Sequence, residues 1–306
     1  MKTLLLGKHG QVGQALEHAL APLAGPGELV ALDRTNGGDL AQLDALAATV
    51  RQLRPQFIVN AAAYTAVDKA ESEPEQTRLI NAQAPEVLAK EAQALGAWLV
   101  HYSTDYVFDG SGTRAWVETD VTAPLNVYGL SKLEGERLIQ AHCTRHLIFR
   151  TSWVYAAQGS NFAKTMLKLA QEREHLRVID DQWGAPTGAE LLAAVTAIAI
   201  EKTSLAGDAL AGLYHLAANG ETTWHDYASH IINQAKALRP DLPWAAQEMV
   251  PVPSSAFFTA ARRPHNSRLD THKLQAAFGI HLPDWQQGVD EMLAQVLTST
   301  PSKETS

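Results

Sequence analysis

The chain has 306 residues, 46% of them hydrophobic and 19% charged, with 25 Lys and Arg against 33 Asp and Glu for a formal charge of −8. That balance suits an ordinary globular protein and does not favour nucleic acid as a general partner. The single cysteine, Cys143, excludes an intrachain disulfide and makes a reducing cytoplasm the simple expectation. The apolar run at 4–6 is too short for a signal peptide, and no run reaches the roughly 18 residues of a spanning helix. The histidines do not fall at metal-ligand spacing, and no HExxH occurs.

In chain order, "KTLLLG" reads as a short buried strand stopped by a glycine, and "VGQALEHALAPL" as a helix. "ELVALD" is the next strand, and "LAQLDALAATVRQLRP" a helix ended at Pro55. "FIVNAAA", "PEVLAKEAQALG", "AWLVHYSTDYVF", "NVYGLSKLEGERLIQAH" and "HLIFRTSWVY" continue the alternation. Continuously apolar strands mean burial on both faces, so the pattern predicts an α/β fold with a doubly wound parallel sheet, Rossmann-like. Beyond about 155 the pattern loosens. "NFAKTMLKLAQER" is a helix, "LRVIDDQWGAPTG" a strand and turn, and "TGAELLAAVTAIAIEK" a helix with a capping-box signature at Thr187 and Glu190. "GLYHLAA" is one more buried strand. The expected organisation is a dinucleotide-binding domain at 1–155, to which the chain returns at about 185–217. A smaller C-terminal substrate-binding lobe takes 156–184 and 218–297, and 298–306 is a polar tail.

The first strand runs into "GKHGQVG", with glycines at 7, 10 and 13. Glycines there allow a tight turn and close approach to a pyrophosphate, which the next helix meets with its N-terminal N–H groups. The spacing is GxxGxxG rather than GxGxxG, but its place in the first βα turn is where such a loop belongs. Asp33, twenty residues beyond Gly13, can bind the adenosine ribose hydroxyls. Arg34 beside it can accept a 2′-phosphate. The two pull toward NADH and NADPH respectively, so use of both is expected.

"NAAAYTAVDKAE" and "HYSTDYVFDG" end later strands, where ligands bind in open α/β sheets. "VYGLSK" follows, placing Tyr128 and Lys132 on one helix face. Their spacing alone reads first as a buried ring beside a snorkelling lysine. Their position after a phosphate loop and two polar strand ends favours chemistry. A phenol, with a free pKa of roughly 10, can protonate an alkoxide, and an ammonium one turn away is expected to lower that pKa.

Gly7-x-x-Gly10-x-x-Gly13, Asn60-Ala61-Ala62-Ala63, Ser103-Thr104-Asp105 and Tyr128-x-x-x-Lys132, in that order, resemble the extended short-chain dehydrogenase/reductase superfamily. "AAYTAVDKAESEPE", "PLNVYGLSKLEGE", "FRTSWVY", "DQWGAPTGAELL", "TTWHDYA" and "RRPHNSRLDT" narrow the resemblance to the dTDP-4-dehydrorhamnose reductase family. That resemblance implies NADPH or NADH reduction of the C4 ketone of dTDP-4-dehydro-L-rhamnose, feeding cell-surface polysaccharide such as lipopolysaccharide O-antigen. It implies Tyr128, Lys132 and Thr104 as catalytic residues. For the cofactor it implies Gly7, Gly10, Gln11, Val12, Gly13, Asp33, Arg34, Asp39, Leu40, Ala62, Ala63, Tyr64 and Tyr102, together with Tyr128 and Lys132. For the substrate it implies Thr65, Val67, Thr104, Asp105, Tyr106 and Trp153, with Arg263 and Arg268 against the diphosphate.

Neighbouring activities differ at the site. Sugar-nucleotide dehydratases place an Asp-Glu pair after the threonine, whereas Asp105 and Tyr106 stand here. An epimerase–reductase would need a further Cys and His, but Cys143 lies past the catalytic helix. A 4-epimerase or another 4-keto-6-deoxysugar reductase is the alternative of the same class. A regulatory subunit of methionine adenosyltransferase is the alternative of another class, and intact Thr104, Tyr128 and Lys132 argue against it. Some relatives dimerise through a metal held by acids. Of these Glu190 is present, but Ala15 and Met292 replace two others, so no metal is expected, and monomer or homodimer stays open.

Overall fold

The structure is a computed structural model describing residues 1–298. The first half alternates Thr3–Leu6 (β1), Gln11–Ala24 (α1), Leu29–Leu32 (β2), Leu43–Leu53 (α2) and Phe57–Asn60 (β3). Two short helices, Val67–Ala70 (α3) and Pro74–Arg78 (α4), and a π-helical turn at Leu79–Gln83 lead into Ala84–Leu95 (α5). Trp98–Thr104 (β4), Val127–His142 (α6) and His146–Thr151 (β5) complete this half. The second half holds Val154–Tyr155 (β6), Phe162–Glu172 (α7), His175–Ile179 (β7), Trp183–Gly184 (β8), Thr187–Gly188 (β9) and Ala189–Ala206 (α8). Gly212–His215 (β10), Thr222–Thr223 (β11), Trp224–Leu238 (α9), Glu248–Val252 (β12), His272–Phe278 (α10) and Trp285–Thr298 (α11) follow.

Six strands form one parallel sheet in the order β10-β5-β4-β3-β1-β2. Their side chains alternate between two buried faces. Leu5, Val59, Val100 and Phe149 pack with residues of α1 and α8, while Leu4, Leu6, Ile58, Leu99 and Ile148 pack with residues of α2, α5 and α6. This accounts for the unbroken apolar runs. The chain moves outward from β1 to β2, then crosses back to β3, so the sheet's order reverses beside β1, where a crevice opens at the strands' carboxyl ends. A separate apolar cluster joins Met166 of α7, Tyr227 and Ile231 of α9, and Trp285 and Leu293 of α11. Among the described residues no helix is long and apolar enough to cross a membrane. Of the expected polar tail only Thr298 is described, closing α11, and 299–306 lie outside the described residues.

The capping box expected at Thr187 and Glu190 does not form. Gly188 is the N-cap of α8, and the Thr187 hydroxyl donates to Ala185 O and accepts from Ala218 N at 3.1 and 3.2 Å. It therefore ties α8 to the strand end after β10 instead of closing its own helix.

Helix α6 lies against backbone at two glycines. A Cβ on Gly129 would stand 2.2 Å from Tyr106 O, and one on Gly135 2.2 Å from Asn81 O. Gly135→Ala must push α6 off the π-helical turn, costing about 1–3 kcal/mol as overpacking. The expected result is a melting temperature lowered by roughly 2–10 °C, and an unchanged melt would show that α6 is not held this close.

Candidate active site

A cleft of about 910 Å³ opens at the carboxyl ends of β1, β3 and β4. At its floor Gly7 adopts φ +89°, and a Cβ there would lie 2.8 Å from Ala62 N, so the loops after β1 and β3 touch. A Cβ on Gly13 would lie 2.0 Å from Gly7 O, which lets the first turn of α1 tuck beneath the loop. Helix α1 begins with Gly10 as an N-cap that offers no side-chain acceptor, and it carries no acid in its first turn. Its leading N–H groups are thus left for an anion, and the loop fits a dinucleotide pyrophosphate.

Gln11, Val12, Asp33, Arg34, Asp39, Leu40, Ala62, Ala63 and Tyr64 line the same cleft, as do Gly7 and Gly10, while Gly13 lies under the loop. Asp33 is held strongly. Its Oδ1 accepts from Thr35 Oγ1 and N at 2.6 and 2.7 Å, and its Oδ2 faces His9 Nε2 at 2.9 Å and Lys8 Nζ at 3.4 Å. The Thr35 hydrogen bonds hold its carboxyl far below the usual carboxylate range. His9, which lines the cleft from inside the glycine loop, was not anticipated from sequence, although the letters between the glycines marked its place. The Tyr64 hydroxyl donates to Glu73 Oε2 at 2.6 Å, and Tyr64 N donates to Asn81 Oδ1 at 2.8 Å. Asn81 also reaches Ser131 of α6 at 3.1 Å, so the π-helical turn fastens the cleft wall to that helix.

On the far side stand Thr65, Val67, Tyr102, Thr104, Asp105, Tyr106, Tyr128, Lys132 and Trp153. Asn126 N-caps α6, its Oδ1 accepting from Gly129 N at 2.8 Å, so Tyr128 enters the cleft from the first turn. Burial pushes the Tyr128 phenol up to about 12, and the Thr104 hydroxyl within hydrogen-bond reach works against that rise. This differs from the expectation that Lys132 would lower the phenol. The Lys132 amine instead bonds Tyr102 O at 2.5 Å and meets His101 Nε2 at 3.1 Å, and burial brings it down to about 8. The Tyr102 hydroxyl is occupied by Thr196 at 2.6 Å. Thr104 caps the short turn after β4, accepting from Tyr106 N at 3.2 Å and donating to Asp105 Oδ1 at 3.1 Å. Burial raises Asp105 to about 7, and its Oδ2 makes no hydrogen bond.

Trp153 holds φ +48°, uncommon for a bulky residue, and one ring face stacks on Trp224 at 3.7 Å. Trp224 shares the cleft wall and went unread in the sequence. Arg263 and Arg268 are not brought to the wall. Arg263 forks onto Asp68 at 2.6 and 3.1 Å. Arg268 lies over the Trp183 ring at 4.5 Å and forms a poorly aligned ion pair with Glu221 at 2.5 Å. A carboxylate therefore already neutralises each arginine expected at the diphosphate.

A family model described as "RmlD substrate binding domain" matches residues 1–298. The dTDP-4-dehydrorhamnose reductase of Escherichia coli strain K12 is 57% identical over 98% of this chain and 99% of its own length. The chain belongs to the dTDP-4-dehydrorhamnose reductase family. The reductase of Burkholderia thailandensis is 44% identical over 97% of this chain and all of its own. The crystal structure of a Bacillus anthracis dTDP-4-dehydrorhamnose reductase in complex with NADP has a TM-score of 0.85 at 32% identity, covering 96% of this chain and all of that one.

Within this family frame Cys143 stands apart from the cleft. It is 1% exposed, its thiol donates to Arg145 O at 3.3 Å, and burial raises it to about 11. It is a core residue without a part in proton transfer. The folded protein is expected to show no thiol titre with an aromatic disulfide reagent and one equivalent after unfolding. Rapid labelling of the native protein would contradict this placement.

Proposed function

We propose that this chain reduces the C4 ketone of dTDP-4-dehydro-L-rhamnose to dTDP-L-rhamnose with NADPH or NADH, for cell-surface polysaccharide synthesis. The reading is carried by the convergence of Thr104, Tyr128 and Lys132 on the cleft that also holds the glycine loop. Arg34, Asp39, the first turn of α1 and Lys132 would hold the dinucleotide, which when bound supplies the hydride. Residues 1–155 with the return at 185–217 are assigned to its domain, and 156–184 and 218–297 to the substrate lobe. The cluster of α7, α9 and α11 supports the division, whereas Leu274, Phe278 and Leu282 pack instead with the core of the sheet and α8. A cytoplasmic location and a monomeric or homodimeric state complete the proposal.

The chain's own residues then divide the work. As the ketone oxygen gains charge, Tyr128 gives it the phenolic proton. A phenol raised to about 12 keeps that proton until the oxygen has become the stronger base. Thr104 orients the phenol and hydrogen-bonds the substrate oxygen. Lys132 would hold the cofactor's ribose hydroxyls and, while an ammonium, favours the phenolate left behind. Asp105 and Tyr106 face the sugar, and Trp153, held between Trp224 and Gly184, lines the same cleft.

Mixed with dTDP-4-dehydro-L-rhamnose, the protein should remove the reduced-nicotinamide absorbance, and no loss with either cofactor would refute the activity. Tyr128→Phe should lower kcat by about 10²-fold or more with cofactor binding kept, and a near wild-type rate would remove Tyr128 from the donor role. The pH dependence of kcat/KM has a defined sign. The Lys132 ammonium is the supporting form and its pKa is depressed to about 8. Activity should therefore fall as pH rises through about 8, and a rate flat to pH 10 would contradict it.

A further inference from the structure

Behind Lys132 runs a chain of buried polar groups that the reaction above does not use. His101 of β4 and Asn60 of β3 are partners in the sheet register, and each is 1% exposed. Asn60 Oδ1 accepts from the backbone N–H of Ala62 at 3.2 Å. A backbone N–H can only donate, so the amide orientation is determined, and Asn60 Nδ2 is the atom facing His101 Nδ1 at 3.2 Å. Nδ2 also donates, so Nδ1 must accept. Burial and the neighbouring Lys132 hold the imidazole well below its ordinary range, and it is neutral. Its one proton is therefore on Nε2, the nitrogen 3.1 Å from Lys132 Nζ.

An ammonium has no lone pair to receive that N–H, whereas an amine has one. We propose that His101 is a positioning residue for the reaction: fixed by Asn60 as the Nε2–H tautomer, it turns a donor onto Lys132 and keeps the lysine ready to release its proton. Tyr102 O takes one lysine N–H at 2.5 Å in either state. The other groups facing this site are few. Glu136, one turn along α6, favours the ammonium but is committed to Arg150 of β5 through bonds of 2.9 and 2.6 Å. Asp105 lies beyond the end of β4 and Tyr128 one turn before Lys132, while Asn60 and Asn81 present only amides from β3 and the π-helical turn. The histidine adds to burial in the same direction. A lysine near its titration point at neutral pH can restore the proton that Tyr128 gives up.

The inference rests on Lys132 and Tyr128 being the reacting pair, and two readouts separate it from that reading. In the cofactor-free protein, ¹⁵N-edited NMR of the His101 ring should find the proton on Nε2, and finding it on Nδ1 would overturn the proposal whatever the enzyme does. In turnover, His101→Gln can offer Lys132 an oxygen instead of a donor. It should move the basic limb of the kcat/KM profile up by about one pH unit, a tenfold change in proton affinity. Asn60→Asp, similar in size, reverses the first hydrogen bond so that Nε2 accepts, and should move the limb the same way. A merely structural role would lower the rate of either variant and leave the limb where the wild type has it, which would also overturn the proposal. If the reductase reading itself fails, the wild type consumes no reduced nicotinamide, and the NMR result still decides the tautomer.

Discussion

The site depends on carrying one primary amine into the protein interior. Lys132 is 2% exposed, and a charged group so placed costs several kcal/mol unless partners receive it. Tyr102 O receives one of its N–H groups and the His101 ring lies against it, both on β4, so helix α6 has to come within a lysine's reach of that strand. Gly129 and Gly135 make the approach possible, because each lies where a Cβ would strike backbone of the preceding segments. Ser131 and Asn81 then pin the helix sideways. Once α6 is so placed, Tyr128 one turn earlier has no freedom in where it meets Thr104. The catalytic geometry follows from the docking of a helix, and the docking follows from two glycines and a buried lysine.

What could be read from the letters was what lies close along the chain. The glycine loop follows β1 directly, Thr104 and Asp105 follow β4 directly, and Tyr128 and Lys132 share one helix. Local order and period were enough to bring them to one cleft. Contacts set by register or by tertiary neighbours were not legible. Nothing in "FIVNAAA" announces that Asn60 sits beside His101, because that depends on how β3 and β4 align. The family resemblance and their forked guanidinium groups pointed Arg263 and Arg268 toward a diphosphate, yet Asp68, about two hundred residues before Arg263, and Glu221 pair with them. Thr187 shows the same limit at short range, since its hydroxyl turned to Ala185 and Ala218 rather than to its own helix.

The electrostatics also ran against the simplest sequence argument. A lysine four residues from a tyrosine suggests an acidified phenol, but the phenol here rises to about 12 because burial outweighs the help from Thr104. Burial moves Asp105 up to about 7 and Lys132 down to about 8 in the same cleft. Each group is driven toward its neutral form, as a region of low dielectric requires.

For a reduction this is a useful starting state. Charge appears only when hydride reaches the ketone, and in a medium of low dielectric a nearby cation or hydroxyl acts on that new charge more strongly than it would in water. A site already crowded with ionised groups would have to reorganise them at that moment. Here Glu136, the carboxylate that favours the lysine's charge, is paired with buried Arg150 of β5. Lys132 keeps a charge that can still change, and its protonation is set by burial on one side and by a histidine of fixed tautomer on the other. The same packing that makes the amine costly to bury is therefore what makes its proton available.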